Sequence, residues 1–180
     1  MNHKIQNKKY LWSLPGIVLF LVSGCFLFSG TWVIIYEVDQ ADIQTEQGFY
    51  KFTVDLTEEE IWQDHKDDID DIADVSITFN LANHDSADTA TGRVYVSSDT
   101  NLTTPAEVES LATIILGGIS VAPGDTLQMT MAHYYDILQN FDTLKDLVKS
   151  GVFTAYAIVP NTLYVEFFDV VVVVTISGGL

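Results

Sequence analysis

Oxygen-bearing side chains recur along one polar stretch of the chain, residues 83–92, in a pattern that could bind a hard cation. Asn83, Asp85 and Asp88 lie close together in this stretch, and calcium takes its ligands from carboxylate and carbonyl oxygens. These three residues are therefore candidate calcium ligands. Asn and Asp also favour loop conformations through local hydrogen bonds, so ordinary turn chemistry is the alternative explanation.

A second acidic cluster, Asp64 to Asp74, lacks the spacing of a calcium-binding loop. Counted from Asp68, the position that requires glycine is Ala73, and the closing position holds Phe79 instead of glutamate. We expect these aspartates to form the solvent-exposed face of an amphipathic helix.

The histidines give no indication of catalysis. His65, His84 and His133 do not form a pair with the spacing of a metal site. The sequence also contains no Gly-x-Ser-x-Gly elbow, phosphate-binding glycine loop or dinucleotide fingerprint. We predict that the protein is not an enzyme and needs no cofactor, with calcium as the one candidate ligand.

The amino terminus carries the features of an export signal. Three lysines occur within the first nine residues, and an uncharged apolar run extends from Leu11 to Val22, which is the length of the hydrophobic region of a signal peptide. The run ends in Val22-Ser23-Gly24-Cys25, where two small residues precede the single cysteine of the chain. We therefore assign residues 1–24 to a signal peptide.

This arrangement resembles the lipobox of bacterial lipoproteins. In that family the residues before the cysteine are removed, and the cysteine becomes the first residue and carries lipid, such as palmitate. The resemblance implies that Cys25 is the lipidation site and that residues 25–31 form a short tether. Residues 32–180 would then form one domain, anchored to a membrane of the cell envelope and facing the periplasm or the cell exterior.

Two alternatives to the lipid anchor remain open. A polar tether usually follows the cysteine of a lipoprotein, whereas no charged residue occurs here from Tyr10 to Tyr36. Such a run could cross a bilayer as an uncleaved helix, because about 20 apolar residues suffice. Cleavage without lipidation would release a soluble domain. We expect the lipid anchor, and all three alternatives export the domain.

The charge of the exported part excludes some partners. All 25 acidic residues follow Cys25, whereas only five of the eight basic residues do, so this part has a net charge of −20. Its field repels phosphate backbones and anionic membrane surfaces. We therefore expect no nucleic-acid partner. A single cysteine allows no internal disulfide, so the apolar residues, 48% of the chain, must provide a sufficient core.

Strand patterns dominate the rest of the chain. Val75 to Leu81 alternates apolar and polar residues with period two, and β-branched and aromatic residues fill the other apolar segments. We predict a mainly β protein, an antiparallel, immunoglobulin-like β-sandwich of eight or nine strands. The predicted strands are residues 32–38, 49–56, 75–81, 93–97, 111–121, 126–132, 152–159 and 163–177.

The last predicted strand, residues 163–177, is apolar on both of its alternating faces. Because an edge strand of this composition would promote aggregation, we predict a central position in a sheet. Fifteen residues exceed the usual length of a strand, so we expect a bulge or bend near Phe167 to Asp169 that changes which face meets the core.

Two short helices are predicted to cover the ends of the sandwich. Thr57 and Glu60 have the spacing of a capping box, and an apolar stripe extends this first helix to about Ala73. The second helix covers about Tyr135 to Ser150, and Gly151 follows its end.

These features predict a non-enzymatic structural or interaction module, anchored to the bacterial cell envelope through Cys25, with an envelope protein or a glycan as its partner. The alternative is a calcium- or carbohydrate-dependent binding domain that uses the loop of residues 83–88. Exposed aromatic side chains near that loop would favour the alternative, and the candidates are Trp62, Tyr134 and Tyr135. Burial of these side chains would favour the structural role.

Overall fold

The computed structural model of this chain describes residues 29–38, 43–45, 49–159 and 164–179. Cys25 and the predicted signal peptide lie outside the described residues. Strands dominate the structure and form two antiparallel sheets, so the predicted β-sandwich is confirmed. The strands are β1 Ser29–Glu37, β2 Ile43–Thr45, β3 Phe49–Asp55, β4 Ile69–Asn83, β5 Ala90–Ser97, β6 Thr113–Val121, β7 Thr126–Met129, β8 Val152–Ile158 and β9 Val165–Gly179.

The order of the strands is that of a jelly roll. The first sheet has the order β1-β9-β4-β7, with the short β2 also paired to β9, and the second has the order β3-β8-β5-β6. The pairs β1–β9, β3–β8, β4–β7 and β5–β6 are therefore nested along the chain, as in double-sheet jelly rolls. An immunoglobulin-like order would pair the first two strands in one sheet. The immunoglobulin-like order is therefore corrected to that of a jelly roll. The sequence could not reveal the order, because pairing between distant strands leaves no local sequence pattern.

β9 has the central position that its composition predicts. It pairs with β1 and β2 on one side and with β4 on the other. Asp169 adopts a φ of 53°, and the register between β9 and β4 shifts beside it, so the predicted bulge is confirmed. Val165 and Phe167 are buried before the bulge. After it the buried residues are those with even numbers, Val170, Val172, Val174 and Ile176.

The core lies between the inner faces of the two sheets, where one apolar cluster joins both. A second, smaller cluster lies on the outer face of the second sheet and contains Tyr95, Tyr156 and Ile158. Val108 belongs to this cluster and is fully buried. It comes from a helix that packs against β5, so the outer face of the second sheet has a cover of its own.

The described residues contain four helices where the sequence predicted two. They are α1 Glu60–His65, α2 Pro105–Leu111, α3 Met131–Ile137 and α4 Phe141–Lys149. In this part of the chain no helix has the length and apolar character needed to cross a membrane.

The first predicted helix ends earlier than its apolar stripe suggested. A 3-10 turn at Leu56–Glu58, capped by the side chain of Asp55, precedes α1. The residues from Ile69 onward belong to β4, because Ile69 and Ile72 pair with β9. The capping box predicted at Thr57 does not form, since the first helical residue is Glu60.

The second predicted helix is divided into α3 and α4. Asn140 lies between them with a φ of 50°, which no helix interior allows. Gly151, with a φ of 85°, follows α4 as predicted. Both helices pack against β4 of the first sheet and reach β6 of the second. They close the side of the sandwich where the short β7 leaves most of one edge of β4 unpaired. They therefore do not cover the ends of the sandwich as predicted.

The start of β1 shortens the predicted tether. β1 begins at Ser29, so Ser29 to Thr31 belong to the sandwich, and only Phe26, Leu27 and Phe28 separate Cys25 from the first strand.

We predict that β9 is essential for folding. Deleting residues 170–180 removes four buried apolar side chains, at about 1.5–3 kcal/mol each, and this sum is comparable to the stability of a whole domain. The truncated protein should be insoluble or should show no cooperative melting by circular dichroism. A soluble product with a cooperative transition would contradict the central role of β9.

Two neighbouring positions provide a matched test of the bulge. Val174 is fully buried, whereas Val173 is half-buried and faces outward. Val174→Thr should lower the free energy of unfolding by about 1–3 kcal/mol, because it buries a hydroxyl among apolar groups. Val173→Thr should change it by less than about 0.5 kcal/mol. Equal effects would contradict the change of face at Asp169.

Candidate functional site

The buried side chain of Asn83 connects three segments at one end of the sandwich. Asn83 is 1% exposed, and its Nδ2 donates to the carbonyl oxygens of Asp88, Val121 and Ala122 at 2.9, 3.1 and 3.2 Å. Its backbone N–H donates to the carbonyl of Asp125. Asn83 therefore joins the β4–β5 loop to the β6–β7 turn.

Residues 122–125 form the turn between β6 and β7. The N–H of Asp125 donates to the carbonyl of Ala122, and the N–H of Gly124 donates to the carbonyl of Asn83. Gly124 has a φ of 72°, a conformation that glycine adopts without strain. The turn thus presents its backbone to Asn83.

Asp85 organises the loop that follows β4. Its Oδ1 accepts from the N–H groups of Ala87 and Asp88, both at 2.8 Å, and its own N–H donates to the side-chain oxygen of Asn83. The two backbone donors hold the pKa of the Asp85 carboxyl below its usual range. The loop is therefore closed by local hydrogen bonds around an ionised carboxylate.

His84 contacts two residues at the start of β9. Its Nε2 lies 2.7 Å from Oε2 of Glu166, and its ring centroid lies 4.9 Å from that of Tyr164. The backbone N–H of His84 also donates to the backbone carbonyl of Tyr164. Tyr164 is 36% exposed, so an aromatic surface adjoins the acidic loop. We call the set formed by Asn83, His84, Asp85, Asp88, Tyr164 and Glu166 the Asn83 junction.

Sequence reasoning identified half of the Asn83 junction. Asn83, Asp85 and Asp88 come together in one loop as expected, whereas Tyr164 and Glu166 were missed. They lie about 80 residues away, and only the pairing of β4 with β9 brings them there. Nothing in the local sequence around Tyr164 indicates this contact.

The three candidate calcium ligands have different roles in the structure. Asn83 directs its amide N–H groups at carbonyls, and its oxygen already accepts a hydrogen bond, so it acts as a structural link. Asp85 and Asp88 remain at the surface of the loop. Across residues 29–38, 43–45, 49–159 and 164–179, no group of three or more His, Cys, Asp and Glu side chains converges as a metal site would require. Calcium binding at Asp85 and Asp88 stays a hypothesis.

The aromatic candidates are mostly buried. Trp62 is 4% exposed and Tyr134 is fully buried, and burial raises the pKa of the Tyr134 hydroxyl. Tyr135 is 46% exposed, but it lies on α3 and its hydroxyl donates to Asp74. His65 stacks on Trp32 with 4.0 Å between ring centroids, as expected for a packed side chain. These positions favour the structural role over the binding role.

The aspartates predicted to form a helix face lie partly on β4. Lys145 of α4 forms an ion pair with Asp71 at 3.0 Å, and this contact holds the pKa of the Asp71 carboxyl below its usual range. Lys149 donates to the carbonyl of Asp70. Burial and the bond to Asp74 raise the pKa of Tyr135 to about 12. Together these contacts attach α3 and α4 to the open edge of β4.

The described residues enclose a small cavity. A cavity of about 20 Å³ lies between the sheets and is lined by apolar and aromatic side chains, among them Phe52, Ile77 and Leu116. This volume holds about one water molecule.

Comparison with known proteins gives no family. No protein-family model and no curated protein matches the chain. Among solved structures, a chain from Desmodium yellow mottle tymovirus superposes with a TM-score of 0.36 and 12% identity, over 84% of this chain and 89% of that chain. A chain from turnip yellow mosaic virus superposes with a TM-score of 0.35 and 10% identity, over 84% and 93%. Likeness at this level indicates no function.

We predict that the Asn83→Asp substitution destabilises the domain. It keeps the shape of the side chain but replaces an N–H donor with a carboxylate that faces three carbonyl oxygens. The free energy of unfolding in calcium-free buffer should fall by about 2–3 kcal/mol, since buried acceptors lose their donor. Urea denaturation measures the change.

Asp88→Asn is the matched control for this prediction. It makes the reverse isosteric change in the same loop, and the structure uses only the backbone of Asp88 for contacts to Asn83. Its effect should stay within about 0.5 kcal/mol. If Asn83→Asp is as stable as the native protein, or regains its stability with calcium, then Asn83 presents its oxygen to a cation and the structural role is wrong.

Proposed function

We propose that the chain is an exported lipoprotein of the bacterial cell envelope, anchored through Cys25, whose jelly-roll domain is a non-enzymatic structural or interaction module. The observation that carries this proposal is the position of β1. It begins at Ser29, four residues after Cys25, so cleavage before Cys25 would leave all of the described strands intact.

The position of β1 also limits the length of an uncleaved membrane-spanning helix. The uncharged run before Ser29 extends from Tyr10 to Phe28, about 28 Å as a continuous helix. This length is barely enough for the hydrocarbon core of a bilayer, and Pro15 and Gly16 lie within it. The only cysteine of the chain completes the lipobox-like sequence, two small residues after the apolar run Leu11 to Val22. These features favour the lipid anchor.

An interaction at the surface fits the domain better than chemistry in its interior. The cavity between the sheets is too small for a substrate. The Asn83 junction instead offers a half-exposed aromatic ring, a histidine and carboxylates at one end of the sandwich. We propose an envelope protein or a glycan as the partner, with no nucleic acid involved.

A calcium- or carbohydrate-dependent binding domain is the second candidate, and one observation favours it. The Tyr164 ring is exposed on one side and lies beside His84 and the loop with Asp85 and Asp88. An aromatic face next to polar groups of fixed orientation is the composition of a small-ligand site. In this role Tyr164 would stack on a sugar ring and the carboxylates would accept from its hydroxyls.

We predict that Cys25→Ser abolishes lipidation. The variant expressed in bacteria should lose the mass of the attached lipid, should retain residues 1–24, and should no longer depend on lipoprotein signal peptidase. Mass spectrometry of the membrane and soluble fractions measures all three properties.

Ser23→Ala is the matched control, because it keeps a small residue at the second position before Cys25. It should be processed and lipidated like the native protein. Unchanged mass and unchanged membrane association in Cys25→Ser would instead support the uncleaved helix.

The second candidate makes a different prediction. If it holds, calcium should raise the melting temperature by more than about 5 °C, equivalent to roughly 1–2 kcal/mol, and replacing Asp85 and Asp88 by Ala should remove the effect. Cell-wall polysaccharide should bind in calorimetry, and Tyr164→Ala should abolish binding while Tyr135→Ala, at the other exposed tyrosine, leaves it unchanged. No response to calcium and no polysaccharide binding would contradict it.

A further inference from the structure

The outer face of the first sheet carries an apolar surface over β1 and β9. The register places Val33 beside Thr175, and Ile35 beside Val173. Val33 is 47% exposed and Ile35 is 60% exposed, whereas Ile34, which faces the core between them, is 2% exposed. We call the surface formed by Val33, Ile35, Val173 and Thr175 the uncharged face.

The two outer faces of the sandwich differ in their cover. α2 packs against β5 of the second sheet, and its buried Val108 joins the cluster that contains Tyr95 and Tyr156. On the first sheet the nearest cover is α3, whose Tyr135 hydroxyl bonds Asp74 of β4. Asp74 is paired with Thr175, so Tyr135 borders the uncharged face and leaves the side chains of β1 exposed.

The four side chains of this face are uncharged in a strongly acidic domain, and two carboxylates border it: exposed Glu37 opposite Val171, and Asp74 beside Thr175. β1 has no charged residue before Glu37, and β9 has none from Val170 to Gly179. The exported part as a whole has a net charge of −20. A bilayer that contains anionic lipid repels most of such a surface, but the side chains of the uncharged face add nothing to this repulsion.

The chain brings this face close to the membrane. Four residue steps separate Cys25 from Ser29, at most about 14 Å in an extended chain. Val33 lies four residues further along β1, about 13 Å in a strand. A lipid on Cys25 and an uncleaved helix that ends at Phe28 would both place the bilayer surface at the start of β1.

We propose that the uncharged face rests on the lipid surface, so that β1 lies along the bilayer with Val33 and Ile35 among the headgroups and upper acyl chains. This inference rests on the anchor proposed above and adds an orientation to it. The contact is apolar and shallow, as in proteins that lie on the interface. Tyr135, at the border of the face, has the amphipathic ring that occurs at headgroup level.

The test uses the full-length, processed protein in vesicles of phosphatidylcholine with brominated acyl chains. A fluorescent amino acid is placed at position 33, and in a second sample at Ser120, which is exposed on β6 of the opposite sheet. Bromine quenches only nearby fluorophores, so a probe at the depth of an interfacial side chain should lose roughly half of its intensity. The probe at position 120 should be unaffected.

A charge placed on the face supplies a matched pair of variants. Ile35→Glu should return the fluorescence at position 33 to its unquenched value, because a carboxylate is costly to place among acyl chains. Ser120→Glu adds the same charge to the opposite sheet and should leave the quenching intact. Circular dichroism melting checks that both variants fold. The quenching at position 33 in the protein without a charge substitution tests the orientation by itself, so the test does not depend on either variant.

The outcomes separate this inference from the anchor. A protein that floats with the vesicles but is not quenched at position 33 overturns the orientation and leaves the anchor standing. A protein that does not float with the vesicles overturns both. Energy transfer between probes at position 33 that rises with the ratio of protein to lipid would show that a second copy occupies the face, and would also overturn the proposal.

Discussion

The rest of the structure depends on the bulge at Asp169 in the central strand β9. Asp169 has a φ of 53°, and its carboxylate accepts from the side-chain amide of Asn80 on β4. Because side chains alternate along a strand, one inserted residue exchanges the faces. The strand can therefore bury Val165 at one end and Val174 at the other. Without the bulge, one half of β9 would turn its buried side chains to solvent.

The edges of the sheets explain the positions of the helices. β7 has four residues and pairs only with the end of β4, which leaves the rest of that edge open to association with another chain. α3 and α4 cover it through polar contacts, the bond from Tyr135 to Asp74 and the ion pair of Lys145 with Asp71. Exposed ion pairs contribute little stability, so the apolar side chains that the helices bury in the core, including Leu144 and Val148 of α4, hold them in place.

The strands could be predicted from the sequence because period-two patterns and β-branched residues are local signals. Ile69 and Ile72 fit a helical stripe as well as a strand, and pairing with β9, more than 100 residues away, decides between them. The capping box at Thr104 and Glu107 is a local signal that was overlooked, and it forms. The burial of Asn83 could not be predicted, since a loop asparagine and a buried link have the same sequence pattern.

The two surfaces proposed to be functional lie towards opposite ends of β9. Its first residue, Val165, pairs with Asn83 of the Asn83 junction, and its last, Gly179, pairs with Ser29 at the start of β1. The strand between them spans on the order of 40 Å. The anchor proposed at Cys25 would attach to the end of β9 that pairs with β1, and the Asn83 junction would lie at the other end. In the proposed orientation, a partner bound at Tyr164 would not displace the contact of the uncharged face with lipid.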